Sequence, residues 1–282
     1  MRFCPRTAHL LWRPVGQSQG FSERFRGHVA SLPWDAATGF SNPFYTAGDA
    51  LTGRHSAPYP QAMRPLSSSH LHHRRGQRWD TAGVLLEDPS SKGASDVLDL
   101  SAIFGNAWPV ELEIGSGKGT FLVARAAGRP EVNFLGVEWA KAYCAYAADR
   151  VRRAGLTNVR LLCADADDLV RRRLAEQSLW RVHIYFPDPW PKRRHQRRRL
   201  IQPSFVAAVR CCLKIGGQLI VVTDHLDYYR QIQGVLVGAE GLATMAMPRM
   251  SDKDGELAGS NFERKYIAQG RPFYGAAVIR FR

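Results

Sequence analysis

Residues 110–119, Val110-Glu111-Leu112-Glu113-Ile114-Gly115-Ser116-Gly117-Lys118-Gly119, decide the fold. Apolar residues alternate with the two glutamates, which is the period of a β-strand. Three glycines then occupy every second position, and closely spaced glycines let a backbone turn sharply and let a ligand approach without a Cβ clash. A strand that ends in such a loop, followed by a helical segment, predicts the ligand-binding turn of an open α/β sheet.

The same succession of elements continues to the end of the chain. The pattern predicts strands over 110–114, 134–137, 159–163, 182–186, 218–222 and 274–281, and helices over 121–127, 139–154, 167–175, 205–213 and 227–237. Strands that alternate with helices build a mostly parallel sheet with helices on both faces. We therefore expect an α/β protein with a Rossmann-like arrangement.

Residues 1–95 have a different composition. Eight prolines interrupt them, and Gly, Ser and His fill much of the rest. Such a segment buries too little apolar area to offset its ordering entropy. We expect residues 1–95 to be a disordered or poorly ordered extension, and residues 96–282 to form the domain. The acid-poor start is compatible with a transit peptide or with an over-long gene model that truly starts at Met63.

The charge of the chain is strongly positive and unevenly distributed. Lys and Arg number 39 against 25 Asp and Glu, which gives a net charge of +14. Residues 150–199 alone hold 14 basic and 5 acidic side chains. A surplus this concentrated indicates a polyanionic partner such as a nucleic acid. No stretch approaches the ~18 apolar residues of a membrane span, so we expect no membrane contact.

Cysteine and histidine do not predict a metal site. The five cysteines include no Cys-x-x-Cys, and His70, His72 and His73 have no matching ligand pattern nearby. Three cysteines lie in apolar segments, which is typical of reduced thiols in a cytoplasmic protein. We expect no metal and a cytoplasmic location, whereas the choice between a monomer and a homodimer stays open.

The glycine loop, residues 115–119, fits one of three related motifs. A P-loop needs Ser or Thr after its lysine, but Gly119 follows Lys118. A dinucleotide fingerprint needs its third glycine one residue later, where Thr120 stands. The remaining pattern, acid-x-Gly-x-Gly-x-Gly, is characteristic of S-adenosylmethionine-dependent methyltransferases. A carboxylate beside the loop suits the cationic sulfonium and ammonium groups of that cofactor.

Acids follow the next two strands as well. Glu138 ends the second strand, 19 residues after Gly119, at the place where an acid binds ribose hydroxyls. Asp165 ends the third strand, where it could bind an adenine amine or cap the following helix. The predicted cofactor-binding residues are Glu113, Gly115, Gly117, Gly119, Glu138, Asp165 and Asp188.

The fourth strand leads into residues 186–199, Phe-Pro-Asp-Pro-Trp-Pro-Lys-Arg-Arg-His-Gln-Arg-Arg-Arg. The prolines fix the backbone around Asp188 and Trp190. Asp188 could accept from a base N–H or face a sulfonium, and Trp190 could stack on a nucleobase. Six Lys or Arg occur among the eight residues from Lys192 to Arg199 and could bind phosphates beside that pocket. Six further arginines, at positions 150, 152, 153 and 171–173, could extend this surface.

Four motifs together resemble the bacterial tRNA (guanine-N7)-methyltransferases, the TrmB family. They are residues 186–199, the loop at 111–119, Val222-Thr223-Asp224, and Ser260-Asn261-Phe262-Glu263. The resemblance covers about residues 97–282. It implies the Rossmann-like S-adenosylmethionine-dependent methyltransferase fold, S-adenosylmethionine as cofactor and tRNA as partner. The family usually has Thr where this chain has Ser260, and a larger apolar residue where it has Ser116.

The resemblance also implies roles for individual residues. Asp188 matches an acid that serves both the cofactor site and catalysis. The implied substrate-binding residues are Lys192, Asp224, Ser260, Asn261, Phe262 and Glu263, and the implied RNA-binding residues are Arg194, His195, Gln196, Arg197, Arg198 and Arg199. The usual target is guanine 46 of the tRNA variable loop.

Guanine N7 carries a lone pair and no proton, so its methylation requires alignment rather than a base. We therefore expect Asp188 to orient guanine or to stabilise the positive charge that develops on it. Asp224 and Glu263 are candidates to bind guanine N1–H and the amino group. Two alternatives stay open at this point: a methyltransferase for an exocyclic base amine, and a non-catalytic RNA-binding protein on the same scaffold.

Overall fold

The computed structural model of the protein describes residues 79–87, 97–251 and 256–282. The predictions for residues 1–78 and 88–96 lie outside the described residues, including those for the start of the chain and for His70, His72 and His73. In the part of the chain that the structure describes, no helix has the length and apolar character needed to cross a bilayer.

Eight strands form a single sheet in the order β1-β4-β3-β2-β5-β6-β8-β7. Their bounds are β1 Leu85–Leu86, β2 Val110–Ile114, β3 Asn133–Glu138, β4 Val159–Cys163, β5 Leu179–Tyr185, β6 Leu213–Thr223, β7 Leu242–Met245 and β8 Tyr274–Arg280. Strands β1 to β6 pair in parallel, and β8 pairs antiparallel with both β6 and β7. The predicted mostly parallel sheet is confirmed.

The helices connect the strands in the alternating manner that the sequence predicts. They are α1 Leu100–Phe104, α2 Thr120–Ala127, α3 Lys141–Arg153, α4 Ala166–Asp168, α5 Pro203–Cys212, α6 Leu226–Val237 and α7 Asn261–Ala268. Helix α4 continues as a π-helical turn, Leu169–Arg173, and a 3-10 helix spans Arg193–Arg198. The Rossmann-like α/β fold class is thereby confirmed.

Strand β2 is buried on both faces. All five of its residues are buried, including the glutamates that alternate with its apolar side chains. Its apolar residues belong to the largest buried cluster, which includes Leu162, Val182 and Phe205. The alternation therefore corresponds to two buried faces of β2, one apolar and one carrying Glu111 and Glu113. The two glutamates require polar partners inside the protein.

Part of the predicted N-terminal extension packs against the domain. In residues 79–87, strand β1 pairs in parallel with β4 and Val84 is buried. The Asp80 carboxylate forms an ion pair with Arg152 at 2.5 Å, and its backbone N–H donates to Asp149 at 3.2 Å. For this stretch the predicted boundary at residue 95 is wrong, because the unpaired edge of β4 supplies backbone partners that the local composition does not reveal.

Strand β6 begins five residues earlier than predicted. Gly216 and Gly217 lie inside it, at an irregularity between its pairings Leu179–Leu213 and Arg181–Gln218 with β5. Gly217 has no room for a side chain, since a Cβ there would lie 2.8 Å from the Lys214 carbonyl oxygen. The glycine pair therefore allows a bulge within a strand, rather than a turn before one. The short elements β1, α1 and β7, and helix α7, were not predicted.

A glycine in the middle of the sheet gives a test of this packing. A Cβ at Gly136 would lie 2.5 Å from Leu122 Cδ1 and 2.7 Å from Leu161 Cδ2, and both leucines are fully buried. We expect Gly136→Ala to lower the free energy of unfolding by about 1–3 kcal/mol through overpacking. Urea unfolding followed by circular dichroism measures this change.

The matched control is Gly234, inside helix α6, where a Cβ would meet nothing within 4 Å. Gly234→Ala should raise the free energy of unfolding by about 0.5–1 kcal/mol, because alanine restricts the unfolded chain more than glycine does. Equal effects of the two substitutions would contradict the packing described for Gly136.

Candidate functional site

Five acidic residues meet at one edge of the sheet. Glu113, Glu138, Asp165, Asp188 and Asp224 lie at or just beyond the carboxyl ends of β2, β3, β4, β5 and β6. These strands are neighbours in the sheet order β4-β3-β2-β5-β6 and are all parallel. From β2 the chain adds β3 and β4 on one side, and it then adds β5 and β6 on the other side. Ligands of open α/β sheets bind in the crevice where the strand order reverses in this way, here between β2 and β5.

The glycine loop depends on backbone conformations that favour glycine. The φ angles of Gly115, Gly117 and Gly119 are 76°, 51° and 67°, all in the left-handed region. A Cβ at Gly119 would also approach Ala147 Cβ of helix α3 to 3.0 Å. From the same helix Arg150 donates to Thr120 Oγ1 at 2.8 Å, so α3 holds the start of α2 in place.

Glu138 ties the glycine loop to the end of β3. Its Oε2 accepts the backbone N–H of Gly117 at 2.9 Å, and its Oε1 accepts that of Ala140 at 2.9 Å. Each carboxylate oxygen has a second lone pair, so both can still accept from a ligand hydroxyl. Glu138 therefore positions the loop and also remains chemically able to bind the predicted ribose.

Glu113 is a buried acid with an unsatisfied oxygen. Its side chain lies at the end of β2, the residue is only 4% exposed, and its Oε2 has no hydrogen-bond partner among the described residues. Burial and, secondarily, the charge of Glu138 raise the pKa of Glu113 well above its usual range. A positively charged ligand group beside Glu113 would favour its ionised form and offset the effects of burial and of the Glu138 charge. This carboxylate therefore fits the positively charged methionine part of adenosylmethionine.

Asp165 and Trp139 lie on the outer side of the same edge. Asp165 is exposed, and its Oδ1 accepts the backbone N–H of Asp168 at 2.9 Å, so it caps helix α4. Trp139 follows Glu138 directly and is 74% exposed, which is unusual for so large an apolar side chain. The sequence analysis missed Trp139, although a tryptophan immediately after the acid predicted to bind ribose was the available signal.

The loop after β5, residues 187–191, is held in a strained conformation. Phe186 and Trp190, which flank Asp188, have φ angles of 54° and 41°, unusual values for large side chains. The Phe186 ring packs edge-on against Tyr266 at 5.2 Å and lies 6.1 Å from the Phe262 ring. Aromatic contacts from α7 therefore hold the start of this loop in place.

Asp188 lies at the surface of the molecule, three residues after the end of β5. Its side chain is exposed, yet the protein around the carboxylate desolvates it on one side and raises its pKa above the usual range. A partly desolvated carboxylate interacts strongly with any positive charge placed beside it. This environment suits the predicted role of Asp188 in stabilising charge.

Trp190 is partly covered by the basic residues that follow it. The Arg198 guanidinium lies over its ring at 5.0 Å, and the His195 ring meets it edge-on at 5.9 Å. Partial desolvation and the positive charges of Arg198, Arg194 and their neighbours lower the pKa of His195. The predicted stacking of a nucleobase on Trp190 therefore requires the opposite face of the ring or displacement of Arg198.

The basic segment, residues 192–199, forms the 3-10 helix and its two ends. Lys192, Arg194, Arg197 and Arg198 are exposed, and His195 and Gln196 are half-buried. These side chains begin at the loop that carries Asp188 and face solvent, as phosphate-binding residues must. The structure thus brings most of the predicted RNA-binding set together beside the acids of the sheet edge.

Arg199 differs from the other members of the basic segment, and its predicted contact with RNA is wrong for this conformation. The residue is 2% exposed, and its guanidinium donates to the Pro189 carbonyl at 2.8 Å and to Asp227 at 2.6 Å. It also donates to Gln231 at 2.6 Å and lies over the Tyr228 ring at 4.8 Å. Arg199 therefore fastens the Asp188 loop to helix α6.

The six flanking arginines do not form a free basic surface. Each is buried or interacts with other groups of the protein in the described part of the chain. Arg150 contacts Thr120, Arg152 pairs with Asp80, Arg153 with Asp149, Arg171 with Asp167, and Arg172 with Asp168, while Arg173 is buried. The predicted extension of the RNA surface over these arginines is not supported, because their charges are largely used within the fold.

Asp224, at the end of β6, is engaged by a cation from the loop before β8. Its Oδ2 forms an ion pair with Arg271, and the Arg271 guanidinium lies 4.5 Å from the centre of the Tyr266 ring. The pair leaves Asp224 at the same sheet edge as the other acids. A base N–H could share this carboxylate with Arg271, since a carboxylate accepts several hydrogen bonds.

Glu263 is structural, contrary to its predicted contact with guanine. It is 0% exposed, and it accepts the backbone N–H groups of Leu257, Ala258 at 2.9 Å and Gly259 at 2.6 Å. Ser260 caps helix α7 by accepting the Glu263 N–H at 3.2 Å. These two residues form a helix cap, so Asn261 and Phe262, which are exposed, remain the members of this motif able to touch a substrate.

The described residues include no group of three or more His, Cys, Asp and Glu side chains arranged to hold a metal ion. The absence of a metal therefore stays a prediction.

Comparison with known proteins identifies relatives of the chain. A family model described as "Putative methyltransferase" matches residues 107–276. A protein named tRNA (guanine-N(7)-)-methyltransferase from Alkalilimnicola ehrlichii is 38% identical over 181 residues, which are 64% of this chain and 76% of that protein. Proteins of the same name from Nocardia farcinica and Geobacter metallireducens are 39% and 37% identical over 64% and 62% of this chain, and 71% and 84% of their own lengths.

Among solved structures, a 30S ribosomal A1408 methyltransferase from an uncultured bacterium has a TM-score of 0.48 and 16% identity, and the match covers 64% of this chain and 92% of that one. Neither fold nor function follows from a match at this level. The sequence relatives are much more similar, and the family model spans the strands and loops that carry the acids. The chain belongs to the bacterial tRNA (guanine-N7)-methyltransferase family.

Proposed function

We propose that the protein transfers a methyl group from S-adenosylmethionine to N7 of a guanine in tRNA. One observation carries this proposal: Asp188 lies on a rigid loop between the acids of the sheet edge and the exposed cations of the basic segment. The names of the sequence relatives support the same activity. Because tRNA is the substrate, we expect the protein to act in the cytoplasm.

The residues of the sheet edge fit the methyl donor. Bound S-adenosylmethionine would supply an electrophilic methyl group on a positively charged sulfur. Glu113 provides an unsatisfied buried oxygen for a cation, and Glu138 provides lone pairs for ribose hydroxyls. Trp139 offers an exposed aromatic face for adenine, and Asp165 lies beside it as an acceptor for the adenine amine.

Guanine recognition falls to the side chains around Asp188. N7 needs no base, so the chain has to hold the ring in line and to stabilise the positive charge that the ring acquires. The incompletely solvated carboxylate of Asp188 serves this second purpose. Lys192, Asp224, Asn261 and Phe262 are placed to contact the nucleotide, whereas Ser260 and Glu263 act by shaping the loop before α7.

We further propose guanine 46 of the variable loop as the target. The family resemblance of residues 186–199 supports this position. A base in an accessible loop can enter a pocket without the cost of opening a stable helix, whereas a paired base cannot. The exposed cations from Lys192 to Arg198 would then bind the phosphates that flank that base.

The proposed activity is tested by incubating purified protein with unmodified tRNA and methyl-labelled S-adenosylmethionine, followed by nucleoside analysis. We expect label in 7-methylguanosine, and we expect none in a tRNA whose guanine 46 is replaced by adenine. Label in an exocyclic base amine would instead support the alternative methyltransferase. Binding of tRNA with no cofactor binding in calorimetry would support the non-catalytic alternative.

Asp188→Asn tests the charge-stabilising role. The substitution keeps the shape and removes the charge, so kcat should fall by about 100-fold, a typical loss for one preorganised electrostatic contact. The raised pKa of Asp188 adds a pH signature. Because only ionised Asp188 stabilises the positive charge on guanine, wild-type kcat should fall as the pH is lowered through that raised pKa. The variant should not show this decrease.

The control is Asp99→Asn, since Asp99 caps helix α1 through the Ala102 N–H and asparagine caps equally well. It should leave kcat and its pH dependence as in the wild type. Full turnover and a normal KM in Asp188→Asn would contradict the role assigned to this carboxylate.

Two arginines of the basic segment should respond differently. Arg197 is exposed, so Arg197→Ala should weaken tRNA binding and reduce the slope of log K against log salt by roughly 0.7–0.9, the share of one phosphate contact. Arg199 is buried behind the Asp188 loop, so Arg199→Lys should lower kcat and reduce the free energy of unfolding by about 1–3 kcal/mol with little change in salt slope.

Filter binding at several salt concentrations and thermal unfolding distinguish the two effects. If Arg199→Lys reduced the salt slope as Arg197→Ala does, Arg199 would be a phosphate contact rather than a support of the loop.

A further inference from the structure

A chain of polar side chains runs through the interior beneath the glycine loop. Glu111 Oε2 lies 2.9 Å from His183 Nε2, and His183 Nδ1 lies 2.9 Å from the Tyr185 hydroxyl. Glu111 and His183 are fully buried, and Tyr185 is nearly so. The Phe121 ring of helix α2 covers both rings, with centroids 4.8 and 4.9 Å away. None of the roles proposed above uses this chain of groups.

The direction of the hydrogen bonds follows from the charge of Glu111. Burial raises the pKa of this carboxyl, but the hydrogen bond from His183 and the positive charges around the carboxyl, those of Arg181 and Arg125 included, outweigh it and hold the pKa at about 2. Arg181 contributes directly, at 3.0 Å from Oε1. Burial lowers the pKa of His183, so the ring is neutral and carries one proton. The ionised Glu111 must receive that proton from Nε2, so Nδ1 is unprotonated and accepts the Tyr185 O–H.

Glu113 faces the same region from the neighbouring strand. It lies two residues after Glu111 on β2 and pairs in register with His183, so all four side chains project from one face of the sheet. Tyr185 lies two residues beyond His183 on β5 and therefore on the same face as Glu113. Burial and, after it, the charge of Glu113 raise the pKa of Tyr185. Even so, Glu113 Oε2 has no hydrogen-bond partner in the part of the chain that the structure describes.

We propose that Glu111, His183 and Tyr185 are positioning residues that point the Tyr185 proton away from Glu113 and thereby keep the free Glu113 oxygen available to the cationic group of the methyl donor. The inference rests on the proposed function, because it assigns that donor to Glu113. Without this arrangement, the Tyr185 hydroxyl would be free to donate to the buried oxygen on the same face of the sheet, and a ligand would have to displace it.

Glu111→Gln should reverse the direction of the hydrogen bonds between residue 111, His183 and Tyr185 without changing the shape of the side chain at position 111. Arg181 donates to the Oε1 position, so the amide oxygen stays there and the amide nitrogen faces His183. Because that nitrogen is a donor, His183 Nε2 must become the acceptor and Nδ1 must carry the proton. The Tyr185 hydroxyl then loses its acceptor at His183 and becomes able to donate to Glu113.

The test is calorimetric titration of the full-length protein with S-adenosylmethionine. We expect Glu111→Gln to raise Kd about 10-fold, since a hydrogen bond to a charged group now competes with the ligand. In a Tyr185→Phe background the competing hydroxyl is absent, so Glu111→Gln should change Kd by less than about 2-fold. A merely structural role of Glu111 predicts the same ratio in both backgrounds, and that result would overturn the proposal.

The matched control is Glu131→Gln, an exposed glutamate paired with Arg129 at 2.6 Å, which should leave Kd unchanged. Nitrogen-15 NMR of the wild-type protein gives a readout that does not depend on any variant folding. It should show His183 protonated at Nε2, and protonation at Nδ1 would overturn the proposal. No binding of S-adenosylmethionine to the wild type would overturn the proposed function as well, whereas binding that Glu111→Gln leaves unchanged would overturn this inference alone.

Discussion

The site depends on the parallel pairing of β2 with β3 on one side and with β5 on the other. Because all three strands run in one direction, the acid that ends each strand arrives at the same edge. The pairing also places Glu113 opposite His183, so Glu113 and the polar side chains of Glu111, His183 and Tyr185 share one face. A shift of one residue would send Glu113 to the other face and separate it from both.

Local pattern predicts the parts of the fold that local geometry determines. The carboxyl ends of the strands and the order of the predicted elements follow from residues near one another in sequence, and the sheet confirms these predictions. The roles of Arg199 and Glu263 depend instead on contacts with α6 and with the loop at 257–259. An arginine that ends a basic run looks the same in sequence whether it meets phosphate or a buried carbonyl.

The same distinction applies to the positive charge of the chain. Counting residues places the surplus in 150–199, but most arginines of the first half of that window pair with nearby aspartates or support backbone carbonyls. The cations of the 3-10 helix have fewer acidic neighbours, since Asp227 is already bound by the buried Arg199. The net charge therefore has functional meaning mainly where the fold leaves it uncompensated.

Two buried glutamates show how a structural acid differs from a functional one. Glu263 and Glu113 are similarly buried, yet three backbone N–H groups satisfy Glu263, while one oxygen of Glu113 has no hydrogen-bond partner among residues 79–87, 97–251 and 256–282. Leaving a buried carboxylate oxygen unpaired costs on the order of 1–3 kcal/mol, so a fold without a ligand gains nothing from it. With a cationic ligand, the same oxygen contributes binding free energy that a satisfied one could not. The number of satisfied hydrogen bonds, rather than burial, therefore distinguishes an acid that stabilises the fold, such as Glu263, from an acid that is able to bind a ligand, such as Glu113.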